Sequence, residues 1–240
     1  MLTHKQFFFL FLSSTFILLC SAIFVFVSGW QWEPLSDIPF YLYPLYLVTA
    51  TGTVPQVLIT CLVFTCIALL YLKPSPKKAA MYFLIIAVYL GAGQVVKETL
   101  KYIYQEPRPY VTWLQAENII STDDFYGLTR PERAKFISEQ NLSEYHIPAW
   151  LQAHWSKETG YSFPSGHTIF AAQWLMLYLM FLGRRRAVVP IVLMAVWAIC
   201  MQVSRMVLGM HWASDVLVSS LLAPILIYPF YLCCRKWDLV

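Results

Sequence analysis

Two histidines stand in contexts that suit acid–base and nucleophilic chemistry. His167 ends a Pro-Ser-Gly-His run that leads into an apolar stretch, so Ser165 can cap a helix start and Gly166 lets a ligand approach the backbone. A helix N-terminus favours anions, and a histidine there can carry a proton near neutral pH. His211 precedes Asp215 by four positions, so on a helix the carboxylate can orient the ring. These spacings indicate chemistry on an anionic group such as phosphate.

Three cationic side chains stand at the ends of apolar stretches. Lys101 and Arg108 follow one such stretch, and Arg205 ends another. Guanidinium groups match phosphate oxygens in geometry, while Ser165 and the backbone of residues 165–167 add neutral donors. An ionisable group at membrane depth is costly and is a candidate for function, although a single one can also extend its side chain to the interface. Because several such groups occur together, we predict a phosphate-binding pocket.

The two histidines would have different roles in this pocket. His211, oriented by Asp215, would take the phosphoryl group, and His167 would protonate the leaving oxygen and later activate water. The cationic side chains would stabilise the charge that develops on the transferred phosphoryl group. The cationic cluster would therefore serve where other phosphatases use a metal ion.

Neither a metal nor another cofactor is expected. The sequence shows no paired-carboxylate site for Mg²⁺, and Asp123 and Asp124 are interpreted as part of a solvated turn. The six cysteines lie in or at the ends of apolar stretches, which indicates neither a disulfide framework nor a cysteine-based zinc site. The remaining histidines are interpreted as surface or interface residues: His4, His146 and His154.

The composition indicates a membrane protein. Of 240 residues, 59% are hydrophobic and only 12% are charged, which leaves too little polar surface to cover a soluble core. Several apolar stretches approach the roughly 20 residues that a helix needs to cross the hydrocarbon core. We predict an all-α polytopic protein in one membrane domain, residues 1–240, with a small helical periplasmic cap at about 101–163. The six predicted transmembrane helices are at about 7–27, 54–72, 79–99, 166–182, 187–204 and 214–234.

The basic residues predict the orientation of these helices. They cluster before the first span, between the second and third, between the fourth and fifth, and after the sixth. The clusters are Lys5, then Lys73, Lys77 and Lys78, then Arg184–Arg186, then Arg235 and Lys236. The positive-inside rule makes this face cytoplasmic, with both termini inside and the segments 28–53, 97–166 and 204–215 outside. The candidate site would then face outward, and such short basic clusters give no reason to expect a nucleic-acid partner.

The outer segments carry local signals of their own. The aromatic and proline residues of 28–53 are typical of irregular interfacial structure. Thr129-Arg-Pro-Glu132 predicts a capping box with proline in the first turn of a helix. A second short helix is predicted from Pro148 to Glu158.

Three motifs resemble the signature motifs of the type 2 phosphatidate phosphatase (lipid phosphate phosphatase) family, in order and without departure. The motifs are Lys101-x6-Arg108-Pro109, Pro164-Ser-Gly-His167 and Ser204-Arg205-x5-His211-x3-Asp215. The resemblance implies that His211 forms a phosphohistidine, that Asp215 is its partner, that His167 is the general acid, and that no metal takes part. It also implies a set of phosphate-binding residues: Lys101, Arg108, Ser165, Gly166 and Arg205.

The resemblance further implies an enzyme of the bacterial inner membrane. Its substrates would be membrane lipid phosphates, with phosphatidylglycerophosphate hydrolysed to phosphatidylglycerol. Undecaprenyl pyrophosphate, phosphatidate, lysophosphatidate and diacylglycerol pyrophosphate would be further substrates. No obligate protein partner is inferred. Lys97, one turn before Lys101, would steady the site or a head group, or would form a structural ion pair with a nearby acid.

Two alternatives remain open from the sequence. A phosphotransferase would use the same nucleophile with a lipid or sugar acceptor in place of water. A transporter would also place charges in membrane helices, but with polar residues spread through the membrane depth. Gln173 and Gln202 are the modest indications of the transporter.

Overall fold

In a computed structural model, residues 4–37, 39–183 and 187–239 are described, and they form helices and loops without a β-strand among them. The helices are α1 His4–Ser28, α2 Leu42–Ala50, α3 Gln56–Leu72, α4 Pro76–Tyr104, α5 Pro109–Ala116, α6 Thr122–Gly127, α7 Arg130–Glu139, α8 Ala149–Lys157, α9 Gly166–Leu182, α10 Val188–Val207 and α11 Ala213–Lys236, with a 3₁₀ turn at Leu142–Tyr145. The predicted all-α class is confirmed. Arg184–Arg186, which support part of the predicted orientation, lie outside the described residues.

Helix α9 is the centre of the bundle. Every residue from 168 to 182 is buried, because α10, α11, α4, α3 and α1 all pack against it. A helix that is apolar on all sides is stable only when neighbours or lipid cover every side. The position of α9 therefore fixes where its first residues, including His167, lie relative to the other helices.

The outer surfaces of the surrounding helices are apolar. Phe24 of α1, Leu58 of α3, Leu193 of α10 and Ile225 of α11 are all more than 60% exposed. Large apolar surfaces of this kind suit contact with lipid. Within the described residues, α1, α4, α10 and α11 are long and apolar enough to cross a membrane, while α3 and α9 are shorter apolar helices. The membrane character is confirmed, and the count of six crossings stays a prediction.

The two buried glutamines bind neighbouring helices. Gln202 accepts from the hydroxyl of Ser21 at 3.0 Å and donates to the hydroxyl of Ser220 at 2.8 Å, which joins α10 to α1 and α11. Gln173 donates to the carbonyl of Tyr89 at 2.6 Å, which joins α9 to α4. Such interhelical hydrogen bonds stabilise helix packing in membranes. These contacts give both glutamines a structural role, so they no longer favour a transporter.

Between α4 and α9, the helices α5 to α8 pack into a second apolar core, called here the α5–α8 cluster. Tyr110, Phe125, Ile137 and Trp155 are fully buried in it. The capping box at Thr129 is confirmed, since the backbone N–H of Thr129 donates to Glu132 at 2.7 Å. The predicted helix at Pro148 to Glu158 is confirmed as α8.

Two local predictions in the outer segments were wrong. Asp123 and Asp124 are solvent-exposed as predicted, but they lie in the first turn of α6, where Ser121 caps the backbone N–H of Asp124 at 3.0 Å, and not in a loop. The segment 28–53 includes the helix α2, because Leu42 and Thr49 find buried positions, and α2 packs against α10. This tertiary packing compensates for the weak helix signal of a segment rich in proline and aromatic residues.

Candidate active site

The start of α9 is built by hydrogen bonds of Ser165. Its hydroxyl oxygen accepts from the backbone N–H of Thr168 at 3.4 Å and from the Thr168 hydroxyl at 2.9 Å, which confirms the predicted helix cap. The backbone N–H of Ser165 donates to the hydroxyl of Ser219 at 2.8 Å and so ties α9 to α11. The side chain is fully buried by these contacts. The hydroxyl hydrogen is left to donate, and the predicted role of Ser165 in binding phosphate stays a prediction.

His211 and Asp215 form the predicted pair. His211 lies in the connector between α10 and α11, and its Nδ1 is 3.3 Å from Oδ2 of Asp215. The same oxygen accepts from the backbone N–H of Trp212 at 3.0 Å, so the carboxylate is fixed at the start of α11. The contact with Nδ1 leaves Nε2 on the opposite side of the ring. This geometry suits a nucleophilic Nε2 oriented through Nδ1.

The surroundings of His211 keep its ring uncharged. Burial lowers the pKa of His211 well below its ordinary value, and the positive charges of Arg108 and Arg205 lower it further. Only the neutral imidazole has a lone pair for attack. The site therefore favours the protonation state that nucleophilic catalysis requires.

A cavity of about 720 Å³ brings most of the predicted residues together. His167 from the start of α9 and His211 from the α10–α11 connector both line it. The predicted residues on its wall are Lys97, Lys101, Arg108, Gly166, His167 and His211. Arg205 and Asp215 lie behind this wall, where both are buried. The helix ends predicted to meet thus do meet.

Lys101 and Arg108 also bind backbone carbonyls next to the cavity. Nζ of Lys101 donates to the carbonyls of Tyr161 and Ser162. Nε of Arg108 donates to the carbonyl of Gly160 at 2.6 Å, and its Nη1 donates to a carbonyl of the α10–α11 connector at 3.2 Å. The two cations thus hold the segment before α9 in place. Part of their donor capacity serves the fold, and both residues also line the cavity.

Lys97 makes the ion pair that the sequence left as one alternative. Its Nζ is 2.9 Å from Oε1 of Glu98 and 2.7 Å from the amide oxygen of Gln94. Its aliphatic stem packs against Gly166, where an added Cβ would lie 2.6 Å from Cδ of Lys97. A side chain at position 166 would therefore require the stem of Lys97 to move.

Glu158 is a residue that the sequence analysis missed. Its carboxylate lies 2.6 Å from Nη2 of Arg205, 3.7 Å from Nη1 of Arg108 and 3.6 Å from Nε2 of His167. Burial alone would raise the pKa of this carboxyl, but Arg205 and the other positive groups hold it well below its usual range. A carboxylate therefore lies among residues that were predicted to bind phosphate.

His154 was wrongly interpreted as a surface or interface residue. It is buried, and its Nε2 lies 3.2 Å from Nη1 of Arg205 and 3.8 Å from Glu158. Burial lowers the pKa of His154 to about 4, against a smaller opposing effect of Glu158. One signal could have identified the pair, because His154 and Glu158 are four residues apart, as are His211 and Asp215.

Gly52 and Thr53, between α2 and α3, form one wall of the site next to His167. The hydroxyl oxygen of Thr53 is 3.0 Å from Nε2 of His167. A Cβ added at Gly52 would lie 2.6 Å from Cδ2 of the same ring. No local pattern in the sequence signals these contacts, because they join segments 114 residues apart.

Within the described residues, no group of three or more His, Cys, Asp or Glu side chains is placed to hold a metal ion. The predicted absence of a metal requirement stays a prediction. The cavity itself presents two imidazoles and several cationic groups, a combination suited to an anionic substrate.

Comparison with known proteins shows which family the chain is similar to. Residues 82–238 match the family model of the PAP2 superfamily. The chain is 41% identical over 207 residues to phosphatidylglycerophosphatase B of Escherichia coli (strain K12), which covers 86% of this chain and 81% of that protein. It is 40% identical over 213 residues to phosphatidylglycerophosphatase B of Haemophilus influenzae, with coverage of 86% and 88%. The matched family region includes all three motifs.

Proposed function

This chain belongs to the PAP2 superfamily and is a lipid phosphatase, and from that premise we propose that it hydrolyses phosphatidylglycerophosphate to phosphatidylglycerol through a phosphohistidine at His211. The names of its relatives support the substrate. One observation of the structure carries the proposal: His167 and His211 line the same cavity together with Lys101 and Arg108. Undecaprenyl pyrophosphate, phosphatidate, lysophosphatidate and diacylglycerol pyrophosphate are proposed as further substrates, since all present a terminal phosphate on a lipid.

The proposed reaction has two steps. Nε2 of His211 attacks phosphorus as the bond from phosphorus to the lipid oxygen breaks, and His167 donates a proton to that oxygen. Water then attacks phosphorus as the bond from phosphorus to Nε2 of His211 breaks, His167 takes a proton from the water, and His211 is released as inorganic phosphate forms. The guanidinium and ammonium groups stabilise the charge on the transferred phosphoryl group in both steps.

Thr53 can accept a hydrogen bond from Nε2 of His167 and so orient the ring. Its hydroxyl lies 3.4 Å from the carbonyl of Thr49, which can only accept, so the hydroxyl donates to Thr49. The hydroxyl oxygen then accepts from Nε2–H of His167 at 3.0 Å. A proton held there can pass to the leaving oxygen when His167 is the doubly protonated imidazolium, because a neutral imidazole is too weak an acid to donate it.

We place the enzyme in the bacterial inner membrane with six crossings, both termini cytoplasmic and the cavity facing the periplasm. In support, the end of the bundle far from the cavity carries basic residues, and Lys78 at the start of α4 donates to the carbonyl of Asp238 at 2.8 Å. A fluorescent protein fused to the C-terminus should therefore fold and fluoresce. Alkaline phosphatase fused within residues 142–145 should be active, and inactivity there with activity at the C-terminus would reverse the orientation.

The activity is tested by phosphate release from the purified protein in detergent with a chelator present. The unchanged chain should release phosphate from phosphatidylglycerophosphate, and His211→Ala should release none. Labelled substrate should leave an alkali-stable, acid-labile phosphoenzyme in the unchanged chain, and its amount should rise in His167→Ala if water activation is slowed more than transfer. His146→Asn, which changes an exposed histidine outside the site, is the matched control. Loss of activity on adding the chelator, or full activity in His211→Ala, would overturn the mechanism.

A further inference from the structure

The carboxylate of Glu158 lies within the group of residues proposed to receive the substrate phosphate. Its partners at 2.6 to 3.7 Å are Arg205, Arg108 and His167, which carry the proposed roles of phosphate binding and proton transfer. Only 15% of its side chain is exposed, so water does little to screen these contacts. A phosphate bound by the same two guanidinium groups would need the place that this carboxylate holds.

The hydrogen bonding between the Glu158 carboxylate and the surrounding cationic side chains is incomplete. Among the described residues, Oε1 of Glu158 and Nε of Arg205 are buried without a hydrogen-bond partner. A buried polar atom left unpaired costs free energy. A phosphate monoester brings up to two charges and three terminal oxygens, so it could pair more of these donors than one carboxylate does.

Glu158 would have to leave by rotation of its side chain. The backbone that follows it is held, because Arg133 donates to the carbonyl of Thr159 at 2.8 Å and Arg108 donates to that of Gly160 at 2.6 Å. Glu158 also lines the 720 Å³ cavity, together with the cationic residues Arg130 and Lys157. A displaced carboxylate would therefore find space and positive charge on the same cavity wall.

We propose that Glu158 is a resident anion that occupies the phosphate-binding group of Arg108 and Arg205 until a dianionic phosphate displaces it. The proposal rests on the proposed function only in identifying this group as the phosphate site. A phosphodiester head group, with a single negative charge, replaces the carboxylate without gaining charge pairing, whereas a terminal phosphate or pyrophosphate gains it. Displacing Glu158 costs either anion the same free energy, so Glu158 weakens the binding of both, and the diester lipids of the surrounding membrane, which bind less tightly, are kept out of the site.

The test compares anion binding by the unchanged chain and Glu158→Gln, which keeps the shape of the side chain and removes its charge. Inorganic phosphate and diethyl phosphate serve as soluble probes of the dianion and the monoanion, with binding measured by isothermal titration calorimetry in detergent. Removing the competing charge should lower the dissociation constant of phosphate about tenfold, since the coupling energy of close charge pairs at binding sites corresponds to at least a tenfold change in affinity. Diethyl phosphate, which the unchanged chain should bind weakly, should gain by a similar factor.

Glu98→Gln is the matched control, because Glu98 lines the same cavity but pairs with Lys97 rather than with the arginines. It should leave both dissociation constants within about twofold of the unchanged values. A residue that merely held Arg205 in position would show the opposite result, with weaker phosphate binding in Glu158→Gln. Unchanged or weaker binding in the folded variant therefore overturns the proposal, and equal tightening in Glu98→Gln overturns its assignment to Glu158.

A second measurement uses the unchanged chain, in case Glu158→Gln fails to fold. A crystal structure with orthovanadate bound should show Nη2 of Arg205 on a vanadate oxygen and the Glu158 carboxylate more than 3.5 Å away. Vanadate bound with the Glu158 contact still at 2.6 Å would overturn the displacement. Anion binding does not require turnover, so failure of the proposed lipid hydrolysis would appear separately as an absence of phosphate release.

Discussion

Replacing Gly52 with alanine should displace the ring of His167 while leaving the fold intact. The new Cβ would lie 2.6 Å from Cδ2 of His167, and ordinary contact begins at 3.4 Å, so the two atoms must separate by about 0.8 Å. Gly52 is not in the left-handed backbone region, so alanine adds no backbone strain there. A shift approaching 1 Å in a group that transfers a proton can cost roughly a hundredfold in rate. We therefore expect turnover of the lipid substrate to fall about a hundredfold.

The assay separates His167 from His211. With p-nitrophenyl phosphate the leaving phenolate needs little protonation, so the first turnover depends mainly on His211. Gly52→Ala should keep a rapid burst of p-nitrophenolate and lose the steady rate, because His167 is still needed to activate water. The thermal midpoint in detergent, measured alongside, should change by only a few degrees.

Gly91→Ala is the matched control for Gly52→Ala. Gly91 lies on α4, and a Cβ there meets nothing within 4 Å, so activity should stay at the unchanged level. Turnover within about threefold of normal in folded Gly52→Ala would refute the reasoning about the ring position. Loss of the burst in a folded protein would show that the damage is not confined to His167.

Two further predictions concern stability. Ser219→Ala leaves the buried N–H of Ser165 without its acceptor, which should cost about 1–3 kcal/mol and lower the thermal midpoint. Ser138→Ala, which changes an exposed serine, should leave the midpoint unchanged. Equal midpoints in the Ser219→Ala and Ser138→Ala variants would contradict the role of this bond. The pKa of His154 is about 4 in the folded chain against an ordinary value of 6.5, so the unfolded chain binds this proton more readily. The contribution of neutral His154 to stability is therefore fully present above pH 6.5 and is lost as the pH falls toward 4. His154→Gln should flatten the fall of the thermal midpoint between pH 7 and pH 5, and an unchanged slope would contradict the assignment.

Much of the local structure was predictable because its causes are local. The cap of α9 at Ser165 and the capping box at Thr129 depend on side chains within three residues of the groups they bind. The apolar stretches correspond to helices because a membrane helix must satisfy its own backbone and present apolar side chains. The helix α2 was not predicted, since its stability comes from packing against α10.

The candidate site was predictable only in part. The spacing of four residues predicted the pairing of His211 with Asp215, although His211 lies just before α11 and meets the carboxylate at the start of that helix. The same spacing joins His154 to Glu158, but its meaning depends on Arg205, which approaches from α10. A histidine four residues from a glutamate is common on exposed helices, so the pattern alone does not separate a buried site from a solvated face.

The sequence by itself determined the membrane class, the helices and the residue types that suit phosphate chemistry, because hydropathy, caps and helical spacing are properties of short segments. Only the tertiary structure decided which distant side chains meet. Glu158 reaches Arg205 across 47 residues and Thr53 reaches His167 across 114. The physical reason is that local spacing reports the faces of one helix, whereas contacts between helices depend on how all of them pack around α9.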